Sequence, residues 1–418
     1  MSQNITRFDN GVRLVTENMP GTLSASIGIW AARGARHERP EQNGIAHFLE
    51  HMAFKGTGKR TAREIAETIE NVGGYLNAYT AKDMTAYYAR TMGQDLPLAF
   101  DVLSDILLNP QFSQEELEVE RGVILQEIGQ TNDTPDDIIF DWLAEESYPD
   151  QSLGRPILGT PERVKAFQAD DFREFVSQNY GGENLVISAS GDVDHDALAK
   201  MVEATFSELK YKSTPVVETS TFQSGQKRVE KDLEQAHIAL AFEAPSMCDD
   251  SHYAAQLLSA ILGGGMSSKL FQNIREQHGL CYTIFSSLNM MQDCGQLLIY
   301  SGTSAEGIDP LIGQVSSELK QFSSSITQAE LDRAKAQMRT GSVIGLESVS
   351  TRTERNARQL IGFDELTPIA ETLEKIDAVS VEDIAKLASS IFGVDPQMVL
   401  YGQIDKARSF ENFLSGLR

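Results

Sequence analysis

Apolar and polar positions along the chain fall into short strand-like runs alternating with helix-like ones. The opening "MSQNITRFDNGVRLVTENMP" reads as a hairpin, two β-rich runs around "DNG", a turn sequence that favours positive φ. "ASIGIWAARG", from Ala25, is the pattern of a buried strand, and "ENLVISASGDVDHDAL", from Glu183, that of a strand running into a helix. "TAREIAETIENVGG" predicts a helix opened by a capping box, Thr61 with Glu64, and closed by paired glycines. "SQEELEVERGVILQEIGQ" follows Pro110 and opens with Ser113 and Glu116 at the same spacing. Between these helices, "GYLNAYTAKDMTAYYARTM" predicts two strands broken near Lys82 and Asp83.

The second half repeats the first. "AHIALAFEAP" answers the early strand and "PQMVLYGQIDKARS" the late one. The pairs Ala25 and Ala236, Ile27 and Ile238, Gly191 and Gly402, and Asp194 and Asp405 are all 211 residues apart. An internal duplication follows: an α+β chain of two similar α/β-layer domains, each a mostly antiparallel sheet packed with helices. The expected bounds are 1–210 and 226–418, joined by a polar linker at 211–225. A chain of 418 residues is also too long for a single core.

Composition narrows the class. With 41% hydrophobic and 23% charged residues the chain is of ordinary globular type, and no apolar run reaches the roughly 18–20 residues that span a bilayer. The N-terminus lacks a basic then apolar leader, so a cytoplasmic protein is expected, without membrane insertion. Three cysteines, Cys248, Cys281 and Cys294, lack CxxC spacing and read as free thiols. Sixty acidic against 36 basic side chains give a net charge of −24, which repels nucleic acid and favours basic ligands wherever the acids line a cleft.

Histidine is scarce, seven residues in all, yet two stand four apart in "GIAHFLEHMAFKGT". On a helix, His47, Glu50 and His51 share one arc, while Ile45, Phe48, Leu49 and Met52 take the other. Two imidazoles at i and i+4 can bind one Zn²⁺, and Glu50 is placed to take a proton from a water polarised by that metal. A catalytic zinc needs a third protein ligand. Spacing alone leaves it open among Glu115, Glu116, Glu118, Glu120 and Glu127 of the downstream helix, of which Glu120 and Glu127 lie two turns apart on one face. The matching window of the second half, Ala254 to Leu262, holds neither His nor Glu, so only the first copy can carry such a site.

With these motifs in view, the chain resembles the pitrilysin/insulinase family of zinc peptidases, in the short-chain branch that includes the mitochondrial processing peptidase catalytic subunit and its bacterial relatives. The resemblance rests on "HFLEH", "ELEVERGVILQEI", "NAYTAKDMTAYY" and "GGGMSSKLFQNIREQHGLCYTIFS", and it spans essentially the whole chain. It implies a zinc endopeptidase with one Zn²⁺ per chain on His47, His51 and Glu127, with Glu50 as general base and Glu120 steadying a ligand histidine. It also implies that Asn77 and Ala78 lie on a strand that binds extended substrate, and that Arg275 and Tyr282 face the scissile carbonyl. The family encloses short or unfolded peptides in a chamber of four such domains. A chain with two is therefore expected to form a homodimer or to pair with a related subunit, and basic, presequence-like peptides are among the expected substrates. The alternative is a non-catalytic peptide-binding or assembly subunit of the same fold.

Overall fold

The structure is a computed structural model that describes residues 2–211, 217 and 219–418. Residues 212–216 and 218, within the expected linker, lie outside the described residues. The chain forms two compact units. The first comprises Met1–Gly129, Arg155–Glu218 and Ile344–Leu366, and the second Gln130–Gly154, Thr219–Val343 and Thr367–Arg418.

The first unit is built on six strands: β1 (Ser2–Arg7), β2 (Arg13–Asn18), β3 (Ser24–Ala31), β4 (Tyr75–Thr80), β5 (Thr85–Met92) and β6 (Leu185–Gly191). Their order is β1-β2-β6-β3-β5-β4, with β2 and β6 parallel and every other pair antiparallel. Ala25, Ile27, Ile29 and Ala31 of β3 share a core with Phe48, Leu49 and Met52 of α1 (Ile45–Ala53), Ile65 and Ile69 of α2 (Ala62–Glu70), Phe100 and Leu103 of α3 (Leu96–Leu108), and Leu117 and Ile124 of α4 (Gln114–Asp133). The opposite face is buried too. Val15, Trp30, Ala86 and Val186 pack against Ala357 and Leu360 of the helix Val349–Phe363. Burial on both faces explains why β3 and β6 carry apolar residues and small serines and glycines, with no charged side chain on either face. Thr61 caps α2 as expected, accepting from the Glu64 backbone while the Glu64 carboxylate accepts from the Thr61 N–H at 2.8 Å.

The second unit carries β7 (Gly225–Glu230), β8 (Ala236–Ala244), β9 (Thr283–Met290), β10 (Gly295–Thr303) and β11 (Gln397–Gly402) in the order β7-β11-β8-β10-β9. Ile238, Leu240 and Phe242 of β8 meet Leu257, Leu258 and Leu262 of the helix His252–Gly263 on one face. On the other, Ala239, Ala241, Val399 and Tyr401 lie beneath Ile138, Ile139 and Leu143 of α5 (Pro135–Ser147).

The duplication is visible in the topology. Apart from β1, the strand orders match one for one, and the parallel pair β2/β6 recurs as β7/β11. Gly191 and Gly402 end the equivalent strands with φ of +114° and +109°. A Cβ on Gly191 would lie 2.2 Å from the Ser24 carbonyl oxygen, and one on Gly402 would lie 2.4 Å from that of Gln235, again 211 residues on. The repeats also exchange a helix. The helix that backs the first sheet comes from residues 349–363, and the one that backs the second comes from 135–147. Among the described residues, no helix is long and apolar enough to cross a membrane.

Candidate active site

α1 starts at Gly44, which has no side chain with which to cap a helix. Glu38 does so from upstream. Its carboxylate accepts from the backbone N–H of Gly44 at 2.9 Å and of Ala46 at 2.8 Å, and from Asn43 Nδ2 at 3.2 Å. Burial pushes the Glu38 carboxyl up to about 7, against the pull of these donors and of Arg155. Ile45, Phe48, Leu49 and Met52 are fully buried, which turns His47, Glu50 and His51 to the other side of the helix.

α4 supplies the third group. Glu127 Oε2 lies 3.7 Å from His47 Nε2 and 3.7 Å from His51 Nε2. One ligand atom from each of these three side chains falls within 4.8 Å of the others, and among the described residues they are the cluster that could hold a metal ion. The donor set fits zinc: bonds of about 2.0–2.1 Å in a tetrahedron place ligand atoms about 3.4 Å apart. Burial, with His51 alongside, pushes His47 down to about 4, so its imidazole is neutral near pH 7, the form that binds metal. Of the other α4 glutamates, Glu115 is exposed and Glu118 pairs with Arg121 at 3.1 Å.

Glu120 is nearly buried and divides its two oxygens. Oε2 is 2.9 Å from His51 Nδ1, and Oε1 is 2.6 Å from Lys55 Nζ. A carboxylate accepts and does not donate, so this contact assigns the proton of neutral His51 to Nδ1 and leaves the Nε2 lone pair facing the cluster. His47 Nδ1 is buried and has no hydrogen-bond partner among the described residues.

Glu50 Oε2 accepts from Thr80 Oγ1 at 2.7 Å. Burial raises the Glu50 carboxyl above its ordinary value, with the Thr80 hydroxyl opposing the rise. Thr80 ends β4, which pairs with β5 alone and forms one edge of the sheet. Asn77 and Ala78 lie on this edge strand, where Asn77 Oδ1 accepts from the Ala78 N–H at 2.8 Å.

Arg275 and Tyr282 belong to the second unit. Arg275 sits in a π-helical segment, Phe271–Gln277, and Tyr282 in the bend just before β9. The guanidinium lies over both the Phe271 and Tyr282 rings, 4.4 and 5.0 Å from their centroids, and Tyr282 is 79% exposed.

Three side chains of the site carry no signal of their own in the sequence. Thr80 looks like any strand threonine, Lys55 like a solvated lysine, and Glu38 like a loop acid. Only the glycine before α1 hints that its cap must come from a distance.

The insulinase (peptidase family M16) model matches residues 13–161, and the peptidase M16 inactive domain matches 166–338. An uncharacterized zinc protease of Rickettsia felis is 37% identical over 403 residues, which cover 96% of this chain and 98% of that protein. The chain belongs to the insulinase family. Another relative in the family, the uncharacterized zinc protease YmxG of Bacillus subtilis, is 38% identical over 94% of this chain and 96% of its own length. The crystal structure of a protease from Helicobacter pylori shares the fold with a TM-score of 0.89 at 23% identity, covering 96% of this chain and 99% of that one. A chain of complex III2 from Candida albicans does so with a TM-score of 0.86 at 22% identity, covering 99% of each. The family's active half therefore coincides with the half that carries the His47, His51 and Glu127 cluster.

Proposed function

We propose that the protein is a zinc metallo-endopeptidase that holds one Zn²⁺ on His47, His51 and Glu127 and uses Glu50 as general base. The observation that carries this reading is the convergence of two imidazole Nε2 atoms on one Glu127 oxygen, with Glu50 on the same helical face. Membership of the insulinase family and the zinc-protease names of its relatives support it. Zinc, when bound, supplies a Lewis acid that polarises a carbonyl and makes water a nucleophile near neutral pH. Glu50 takes the proton of the attacking water and passes it to the leaving amine. Glu120 keeps His51 in the orientation and tautomer that present Nε2.

The substrate is a short or unfolded peptide, because an edge strand such as β4 accepts only an extended backbone. Along Asn77 and Ala78 it exchanges the Asn77 side chain for main-chain hydrogen bonds. Arg275 and Tyr282 offer a cation and a phenol to a developing oxyanion. A homodimer, or a pair with a related subunit, closes the chamber, and the net charge of −24 favours basic, presequence-like peptides.

Cleavage of a quenched arginine-containing peptide by the wild type and by Glu50→Gln, each assayed for bound zinc, tests the reading. The wild type is expected to cut. The variant keeps its zinc and loses roughly 10²–10⁴-fold in rate. A variant that cuts at the wild-type rate would remove Glu50 from the chemistry.

A further inference from the structure

We propose that Lys55 is a positioning residue for the metal-binding group: it pins the Glu120 carboxylate against His51 and so sets how tightly the three ligands retain zinc. The inference rests on the reading of His47, His51 and Glu127 as ligands, and it adds a residue that the motif does not name.

The geometry comes from the end of α1. The helix stops at Ala53, and the chain turns so that the Lys55 N–H donates to the Met52 carbonyl at 3.1 Å. This turn brings Lys55 Nζ to 2.6 Å from Glu120 Oε1, while Glu120 Oε2 is 2.9 Å from His51 Nδ1. The Glu120 side chain is 5% exposed and that of Lys55 29%. An exposed lysine–glutamate pair would contribute little. Here the carboxylate is withdrawn from water, so its partners decide its orientation.

The terminal torsion of a glutamate is broad and roughly twofold. With His51 as its one partner, the carboxylate of Glu120 could swing away from Nδ1 or trade oxygens. An ammonium on the second oxygen removes that freedom and sets a positive charge against a site that already holds Glu50 and Glu127. His47, His51 and Lys55 thus follow one another at intervals of four, the first two as ligands and the third as the anchor of a ligand's support.

Zinc release into a chromogenic chelator tests this without any substrate. It would be followed in the wild type, Lys55→Met, Lys55→Arg, Glu120→Gln, the Lys55→Met/Glu120→Gln double variant and His51→Ala. Lys55→Met is expected to release zinc several-fold to roughly tenfold faster, at the lower end of what losing a ligand's support does. Lys55→Arg restores slow release, and the double variant is no faster than Glu120→Gln alone, because the lysine acts through the glutamate. Metal-free Lys55→Met melts with the metal-free wild type. Wild-type release from Lys55→Met overturns the proposal. So does a Lys55→Met effect that persists in full beside Glu120→Gln, or a metal-free variant that melts far below the wild type. A His51→Ala variant that kept its zinc would instead overturn the ligand assignment, and the proposal with it.

Discussion

Thr80 Oγ1 donates to Glu50 Oε2 at 2.7 Å. The proposed base on α1 is therefore fastened to the end of the edge strand β4. Thr80→Val keeps the shape and removes this bond. A hydrogen bond to a charged group contributes about 1.5–3 kcal/mol, so kcat is expected to fall at least roughly tenfold, with KM and zinc content unchanged. Thr80→Ser returns the hydroxyl and most of the rate. Steady-state kinetics on the three proteins checks this. A Thr80→Val enzyme with normal kcat would show that this bond does not position Glu50 for the reaction.

Glu127 is more than a third exposed and packs little. Glu127→Gln replaces the proposed anionic ligand with a neutral amide at almost constant volume. Zinc affinity, measured by competition with a chelator, is expected to drop by more than the roughly 10–100-fold typical of losing a supporting partner. The melting temperature of the metal-free protein stays where it was. A large fall in that temperature would mean that Glu127 matters to the fold instead.

Glu38 links pH to the seating of α1. Its carboxyl is raised in the folded chain to about 7, from 4.5 when free, so the folded state binds the proton more tightly than the unfolded state. The stability that this protonation contributes is complete below pH 4.5 and is lost as pH rises through about 7. At 1.36 kcal/mol per pKa unit, the loss is on the order of 3 kcal/mol. Glu38→Gln has no proton to lose there and flattens the profile between these limits. Thermal melts across pH 4–8 for both proteins would display the difference, and parallel profiles would contradict it.

The two strand-ending glycines make a matched pair. Alanine at Gly191 or Gly402 meets a carbonyl oxygen at 2.2 or 2.4 Å and a φ that L residues rarely adopt. Each substitution is expected to destabilise by about 1–3 kcal/mol or more, and by similar amounts in the two repeats. Calorimetry on the two single variants would test the equivalence. A harmless alanine at either site would break it.

How much of this was legible depended on the range of each signal. The capping box at Thr61, the hairpin around "DNG", the strand pair split near Lys82 and the two-faced helix of His47 are local patterns, and they appear where the chain alone placed them. The 211-residue offset located equivalent strands because their closing glycines, Gly191 and Gly402, press on carbonyls at the same offset, those of Ser24 and Gln235. The offset fails at one end: Asp194 caps a helix that begins at His195, whereas the helix after Asp405 waits for Ser409. Contacts between distant segments were not legible. Nothing in a strand threonine announces Glu50, and periodicity cannot tell which sheet a helix will cover. Spacing alone left Glu127 open among its neighbours; the family resemblance singled it out, and the fold brings its carboxylate to the two imidazoles.

The exchanged helices govern how the chain can be made. Synthesis runs from the N-terminus, and the last strand and helix of the first sheet's own half are complete by Phe206. The helix that covers Val15, Trp30, Ala86 and Val186 is not finished until Phe363. At about 5–20 residues per second, the gap lasts roughly 10–30 s. Throughout it, the nascent first unit presents a bare apolar sheet face to whatever waits outside the ribosome. The order of the helices thus leaves that face to be covered only late in synthesis.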